Sequence, residues 1–85
     1  MQSFKYTITD PVGIHARPAG NLVKVIKEFA SAVTISGNGK TVDAKKLMSV
    51  MTLGIRQGQE VELTFEGPDE ETACAEVERY MKENI

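Results

Sequence analysis

Four stretches of the chain have the apolar and polar positions expected of β-strands. In the first, Phe4, Tyr6 and Ile8 alternate with polar residues, which is the period of a strand with one buried face. The second and third are predicted to form a hairpin, because Gly37-Asn38-Gly39 between them favours a tight turn. The predicted strands cover residues 4–8, 33–35, 40–42 and 60–66.

Apolar residues between these strands recur at helical spacing. The first helix is predicted to start at Ala16, and its apolar stripe consists of Ala19, Leu22, Val23, Ile26 and Ala30. A second helix is expected from Ala44 to Leu53, ending at Gly54. In the third, Asp69 is the expected N-cap residue. The buried stripe of this last helix is predicted to be Ala73, Val77, Tyr80 and Met81.

The order of these elements, βαββαβα, predicts one α+β domain over residues 1–85. Each strand has one apolar face, so the helices are expected to cover one side of a four-stranded sheet and to leave the other side to water. A length of 85 residues leaves no room for a second domain.

The composition narrows the class of protein further. One cysteine and one histidine cannot form a disulfide framework or supply four ligands to a structural metal, so we expect neither a metal site nor a cofactor. No apolar run is long enough for a transmembrane helix, and the first residues lack the features of a signal peptide. These observations predict a cytoplasmic protein that does not insert into membranes.

Charge is distributed unevenly along the chain. Up to Arg56 there are eight basic residues against three acids (+5), and from Gln57 onward two basic residues against nine acids (−7), for a net charge of −2. This balance argues against a nucleic-acid-binding domain, which was one alternative for a small α/β chain. The basic half is suited to attracting an acidic partner.

The residues best suited to chemistry lie at the start of the first predicted helix. His15 is the expected N-cap residue, and the amide groups of the first turn have no partners within the helix. These amides and the helix dipole attract anions, and the guanidinium of Arg17 adds a cation suited to phosphate. A neutral imidazole in this setting could accept a phosphoryl group. The alternative at this point is an ordinary capping histidine.

Two motifs resemble those of a known family. Gly13-Ile14-His15-Ala16-Arg17-Pro18-Ala19 is similar to the active-site signature of HPr, the histidine-containing phosphocarrier family of the bacterial phosphoenolpyruvate:sugar phosphotransferase system. The segments 38–40 and 44–58 resemble the family's second signature. The resemblance covers essentially the whole chain and implies an open-faced β-sandwich with a four-stranded antiparallel sheet and three helices on one face.

The resemblance also implies a function and a site. His15 would be phosphorylated on Nδ1, with Arg17 and the backbone amide of Ala16 stabilising the phosphoryl group. Enzyme I would be the donor, and EIIA domains of sugar permeases would be the acceptors. Such a protein is a carrier rather than a turnover enzyme, and we expect it to be a monomer.

The second predicted helix supports a partner-binding surface. Its apolar residues spread over about 220° of the helix, too wide for one buried stripe. The resemblance implies a docking patch formed by Leu47, Met48 and Met51. The further partner-binding residues are expected to be Lys24, Lys27, Lys46 and Gly20, the last of which could let a partner approach the first helix closely.

The residue at position 46 differs from the one that the resemblance implies. Lys46 stands where the resemblance implies a regulatory serine in many Gram-positive bacteria, and Ser49 lies one turn later. Two alternatives to the sugar phosphocarrier therefore stay open. The chain could be an HPr-like regulatory or interaction module, or a nitrogen-related paralogue that is not committed to sugar transport.

Overall fold

A computed structural model describes residues 1–14 and 16–85, and His15 lies outside the described residues. The elements in chain order are β1 (Gln2–Thr7), α1 (Ala16–Lys27), β2 (Ala32–Gly37), β3 (Lys40–Asp43), α2 (Leu47–Met51), β4 (Glu60–Glu66) and α3 (Glu70–Asn84). This order confirms the predicted βαββαβα arrangement.

The strands form one antiparallel sheet in the order β1-β4-β2-β3. Strand β4 lies in the interior of the sheet, where Leu63 faces Phe4 of β1 on one side and Ile35 of β2 on the other. Asn38 and Gly39 have φ values of +50° and +78° and turn the chain from β2 into β3, which confirms the predicted hairpin. Only residues that tolerate positive φ suit such a turn.

The two faces of the sheet differ in chemistry. Val61, Leu63 and Phe65 of β4 are buried beneath the helices together with Ile35 of β2. The opposite face pairs polar side chains across strands, such as Thr34 with Thr64. The open-faced sandwich is therefore the fold of this chain, and the helices that carry the candidate site lie on the apolar face.

The first helix buries most of its predicted stripe. Ala19, Leu22, Val23 and Ile26 are buried in the core, as expected. The prediction for Ala30 is wrong, because α1 ends at Lys27 and Ala30 lies exposed in the connection to β2.

The second helix is shorter than predicted. It spans Leu47–Met51 rather than Ala44–Leu53. Asp43 turns the chain before it, since its carboxylate Oδ1 accepts the Lys45 amide at 2.8 Å and its carbonyl accepts the Lys46 amide at 3.2 Å. This turn occupies the residues that periodicity alone assigned to the first helical turn.

Asp69 takes its predicted N-cap position before α3, since its main-chain oxygen accepts the Ala73 amide at 2.9 Å. Its side chain, however, makes no capping bond to that helix. The carboxylate instead accepts the amides of Ala30 (2.8 Å) and Ser31 (2.9 Å), together with the Ser31 hydroxyl. Asp69 thus joins the α1–β2 connection to the start of α3, a contact between distant residues that local sequence does not reveal.

We expect Asp69→Asn to make the protein less stable at neutral pH. The hydrogen bond from Ser31, and then that from the Ala30 amide, lower the pKa of the Asp69 carboxyl. A carboxyl with a lowered folded pKa stabilises the fold above its ordinary value of 3.8, and this contribution is lost as the pH falls through the lowered pKa.

Urea unfolding at pH 7 and at acidic pH measures the effect. The difference between wild type and Asp69→Asn should shrink at the lower pH. Glu71→Gln removes an exposed carboxylate from the first turn of the same helix and is the matched control. A loss of stability for Asp69→Asn that does not depend on pH would show that the ionised carboxylate is not the stabilising form.

Candidate functional site

The loop that leads to α1 is held by Asp10. Its carboxylate Oδ1 accepts the Val12 amide, and its carbonyl oxygen accepts the Gly13 amide, both at 2.9 Å. The side chain and the main chain of one residue therefore fold the loop back on itself. The Asp10 amide is bound in turn, since it donates to the main-chain oxygen of Ile85 at 2.8 Å.

Gly13 seats this loop against a second loop. Its φ is +80°, a backbone conformation that side chains disfavour. A Cβ atom at Gly13 would lie 2.4 Å from the Ile55 carbonyl oxygen and 2.7 Å from the Arg56 Cα atom. The Ile14 amide donates to that same Ile55 oxygen at 3.0 Å. The backbone two residues before position 15 is thus pressed against residues 55–56.

The second loop is braced by side-chain amides. Asn38 Nδ2 donates to the Leu53 carbonyl at 2.8 Å, and Gln59 Nε2 donates to Asn38 Oδ1 at 2.8 Å. Gln59 Oε1 accepts the Arg56 amide at 2.7 Å. The hairpin turn is therefore linked to the loop against which Gly13 rests.

The predicted phosphorylation site is described only in part. His15, with its expected N-cap role, lies outside the described residues, and α1 begins at Ala16. The Arg17 side chain is exposed, and Pro18 is half-buried in the first turn. Arg17 therefore presents an accessible guanidinium in the first turn of α1, next in the chain after Ala16.

A cleft opens beside this first turn. Its volume is about 210 Å³. The residues that line it are Asp10, Arg17, Pro18, Asn21, Tyr80 and Asn84. Burial raises the pKa of the Tyr80 hydroxyl, so this group stays protonated at neutral pH. The cleft brings the loop before α1, the helix itself and the end of α3 together.

The second helix exposes part of its apolar surface, as its pattern predicted. Met48 is 74% exposed and Met51 38% exposed, while Leu47 is half-buried. Val50 points into the core instead. The wide apolar spread of α2 thus divides into a buried side and an accessible side, and the accessible side carries two of the three residues assigned to docking.

The three lysines predicted to bind partners are also exposed. Lys24 and Lys27 are exposed on α1, which contacts α2, and Lys46 is exposed immediately before α2. Gly20 is half-buried, and a Cβ atom there would meet nothing within 4 Å. Packing within this chain therefore does not require glycine at position 20, which leaves its surface available to a partner.

Sequence patterns did not reveal several residues near the site. Val12 is 65% exposed, and Arg56 is exposed beside Gly13. Asp10 and Tyr80 also reach the cleft. Asp10 could have been noticed from the Asp-Pro dipeptide that opens the loop, but the contact with residues 55–56 joins segments more than forty positions apart.

The described residues were also searched for a metal site, a membrane-spanning helix and other grooves. Among residues 1–14 and 16–85, no three His, Cys, Asp or Glu side chains come together in a way that could hold a metal ion. Within the same part of the chain, no helix is both long enough and apolar enough to cross a membrane. A larger groove of about 500 Å³ is lined by residues of β2 and β3 together with Ala30 and Lys45, and neither Arg17 nor α2 lines it.

Comparison with known proteins finds a matching family and similar chains. Residues 2–83 match the family described as PTS HPr component phosphorylation site. The phosphocarrier protein HPr of Buchnera aphidicola (subsp. Acyrthosiphon pisum, strain APS) is 45% identical over 76 residues, which are 89% of each chain.

Two solved structures show the similarity in three dimensions. An HPr from Thermoanaerobacter tengcongensis superposes with a TM-score of 0.94 at 34% identity, covering 99% of this chain and 94% of that one. Crh, a catabolite repression protein of Bacillus subtilis described as a dimer with a swapping domain, gives 0.78 at 34% identity and covers 100% and 98%.

Proposed function

Because the chain belongs to the HPr family of phosphotransferase-system phosphocarriers, we propose that it accepts a phosphoryl group on His15 from phosphorylated enzyme I and passes it to EIIA domains of sugar permeases. The observation that carries this proposal is the family match over residues 2–83, which contains His15 directly before α1. Asp10 and Gly13 support it, since they fix the loop that leads to that position.

The proposed step exchanges one phosphorus bond for another. A ring nitrogen of neutral His15, Nδ1 by resemblance, donates its lone pair to phosphorus. The bond from phosphorus to the donor breaks, and its electron pair stays on the donor. The exchange needs no oxidant or reductant. In the second transfer an acceptor group of EIIA attacks phosphorus, the bond from phosphorus to His15 breaks, and its electron pair returns to the ring nitrogen.

Groups at the start of α1 are suited to hold the transferred dianion. The first amides of a helix have no partners within it, and that of Ala16 is the first in α1. The Arg17 guanidinium adds a full positive charge and two parallel donors. We assign both groups to stabilisation of the phosphoryl group.

We expect Arg17→Ala to impair transfer far more than folding. Losing an exposed polar residue should change the free energy of unfolding by about 0.5 kcal/mol. Losing a charge-assisted partner of the phosphoryl group should cost about 2 kcal/mol, or roughly thirtyfold in rate. Rapid-quench transfer from enzyme I measures the rate, with Arg79→Ala on α3 as a matched control. Equal rates in the two variants would remove Arg17 from this role.

The exposed side of α2 supplies the proposed docking surface for both partners. Leu47, Met48 and Met51 form its apolar part, and methionine adapts well to more than one partner. We assign the exposed Lys24, Lys27 and Lys46 to its basic rim, and Gly20 to the close approach of a partner. An apolar centre with a basic rim fits acidic partners of different shape.

Met48→Asp should therefore weaken binding to enzyme I and to EIIA together. A carboxylate in the centre of an apolar contact should raise both dissociation constants at least about tenfold. Titration calorimetry with each partner measures the effect, and circular dichroism checks the fold. Thr72→Asp puts the same charge on an exposed position of α3 and should leave both affinities unchanged. Wild-type affinity of Met48→Asp for either partner would contradict a shared surface.

A reconstituted relay tests the whole proposal. Enzyme I, labelled phosphoenolpyruvate, this chain and an EIIA domain are mixed, and label on EIIA is followed with and without the chain. Label should reach EIIA only when the chain is present. A chain that binds enzyme I without taking up label would instead be a regulatory or interaction module.

We also propose that the chain acts as a cytoplasmic monomer. The polar face of the sheet and the small number of exposed apolar side chains support a monomer, although Crh is described as a dimer. Light scattering at micromolar concentration should give the mass of a single chain.

A further inference from the structure

Two opposite charges line the cleft beside the first turn of α1. Asp10 contributes a carboxylate and Arg17 a guanidinium, and the remaining lining residues carry no charge at neutral pH. The two charges lie on separate segments, the loop before α1 and the helix itself. Their presence in one cleft of about 210 Å³ means that the field at Arg17 includes the charge of Asp10.

The position of the Asp10 carboxylate is fixed rather than free. Its Oδ1 atom is committed to the Val12 amide at 2.9 Å, and the main chain of Asp10 is tied to Gly13 and to Ile85. A side chain held in this way keeps its charge at the edge of the cleft. A mobile surface carboxylate would spread that charge through solvent.

We propose that Asp10 is a positioning residue for phosphoryl transfer, acting as a built-in counter-charge that competes with the phosphoryl group for Arg17. This inference rests on the proposed function. In this role Asp10 acts through Arg17 and not on the reacting atoms. It limits how strongly the site can hold a dianion, and it also shapes the loop that precedes position 15.

A carrier benefits from such a limit. A phosphoryl group held too strongly by Arg17 would be accepted readily but released slowly, since interactions that favour the loaded state must be broken on release. A fixed negative charge near the same guanidinium raises the free energy of the loaded state. It thereby brings loading and release closer to balance.

Asp10→Asn separates the charge from the loop geometry. The asparagine side chain keeps an oxygen that can accept the Val12 amide, but it carries no charge. The equilibrium between phosphorylated enzyme I and this chain should shift toward the phosphorylated chain by about threefold to tenfold, as expected for charges interacting through solvent.

Asp43→Asn is the matched control within the same chain. Asp43 makes the same kind of turn, with its Oδ1 accepting the amide two residues later at 2.8 Å, but it does not line the cleft. This variant has the same change in net charge, and its equilibrium should equal that of the wild type. The Asp10→Asn shift should also shrink between about 0.01 M and 1 M salt, because the Debye length falls from about 30 Å to about 3 Å.

Either of two results would overturn the proposal. One is an equilibrium for Asp10→Asn indistinguishable from that of Asp43→Asn. The other is a shift of unchanged size in high salt, since a structural effect of the substitution would not be screened.

A second measurement distinguishes this inference from the proposed function. The NMR resonance of the Arg17 Nε–H group in the unphosphorylated protein should move in Asp10→Asn and stay in place in Asp43→Asn. It needs no phosphoryl transfer, so failure of the wild type to be charged would contradict the proposed function alone. An Arg17 resonance unmoved by Asp10→Asn would contradict the counter-charge itself.

Discussion

His15→Ala should take up no phosphoryl group from enzyme I and labelled phosphoenolpyruvate, and should pass none to EIIA. His15 is the only histidine of the chain, so no other imidazole can replace it. The other nucleophilic side chains have hydroxyl, thiol, amine or carboxylate groups, and none of them offers a neutral ring nitrogen at pH 7. Radiolabel retained on the protein after gel filtration measures the uptake.

The control for this variant is a test that the protein still folds. Circular dichroism and the urea midpoint of His15→Ala should stay close to those of the wild type, which separates loss of the acceptor group from loss of the fold. Stoichiometric, acid-labile label on a folded His15→Ala protein would assign the acceptor role to another side chain.

Gly13→Ala should lower the free energy of unfolding by about 3 kcal/mol or more. The positive φ costs about 1 kcal/mol for a residue with a Cβ atom, and the clash with the backbone of residues 55–56 adds to it. Neither contact belongs to a flexible side chain that could move aside. The loop before α1 should also lose its hydrogen bond from the Ile14 amide, so transfer should slow even in the folded fraction.

Gly20→Ala is the matched control for this substitution. Position 20 lies within α1, and the added methyl group would meet no atom within 4 Å. Alanine is favoured over glycine in a helix by about 1 kcal/mol, so this variant should be as stable as the wild type or more stable. Chemical denaturation compares the two. A Gly13→Ala protein as stable as Gly20→Ala would show that the two loops are not packed as described.

The order of elements could be predicted because the apolar periods of this chain change at well-marked places. The two-residue alternation of β4 and the stripe of α1 each point to one kind of element, and Asn38-Gly39 specifies the hairpin. The limits of α2 could not be predicted in the same way. The turn made by Asp43 competes with the first helical turn, and both use residues that are compatible with a helix.

The candidate site shows a similar division. The exposure of Met48 follows from the excess of apolar positions in α2, which sequence alone displays. Asp69, in contrast, is the N-cap residue of α3 as its sequence position predicts, but its carboxylate binds residues almost forty positions away. The contacts of Gly13 with Ile55 and of Asp10 with the Arg17 cleft also depend on how distant segments meet. The local pattern of apolar and polar residues therefore does not predict these contacts.

Intact-mass spectrometry of the wild-type chain after incubation with enzyme I and phosphoenolpyruvate tests the central assignment most directly. At neutral pH the mass should increase by one phosphoryl group, and brief exposure to acid should remove it, as a phosphorus–nitrogen bond requires. Fragmentation of the neutral sample should place the group on His15. An unchanged mass, or a phosphoryl group that survives acid on a hydroxyl side chain, would contradict the assignment of His15 as the phosphoryl carrier.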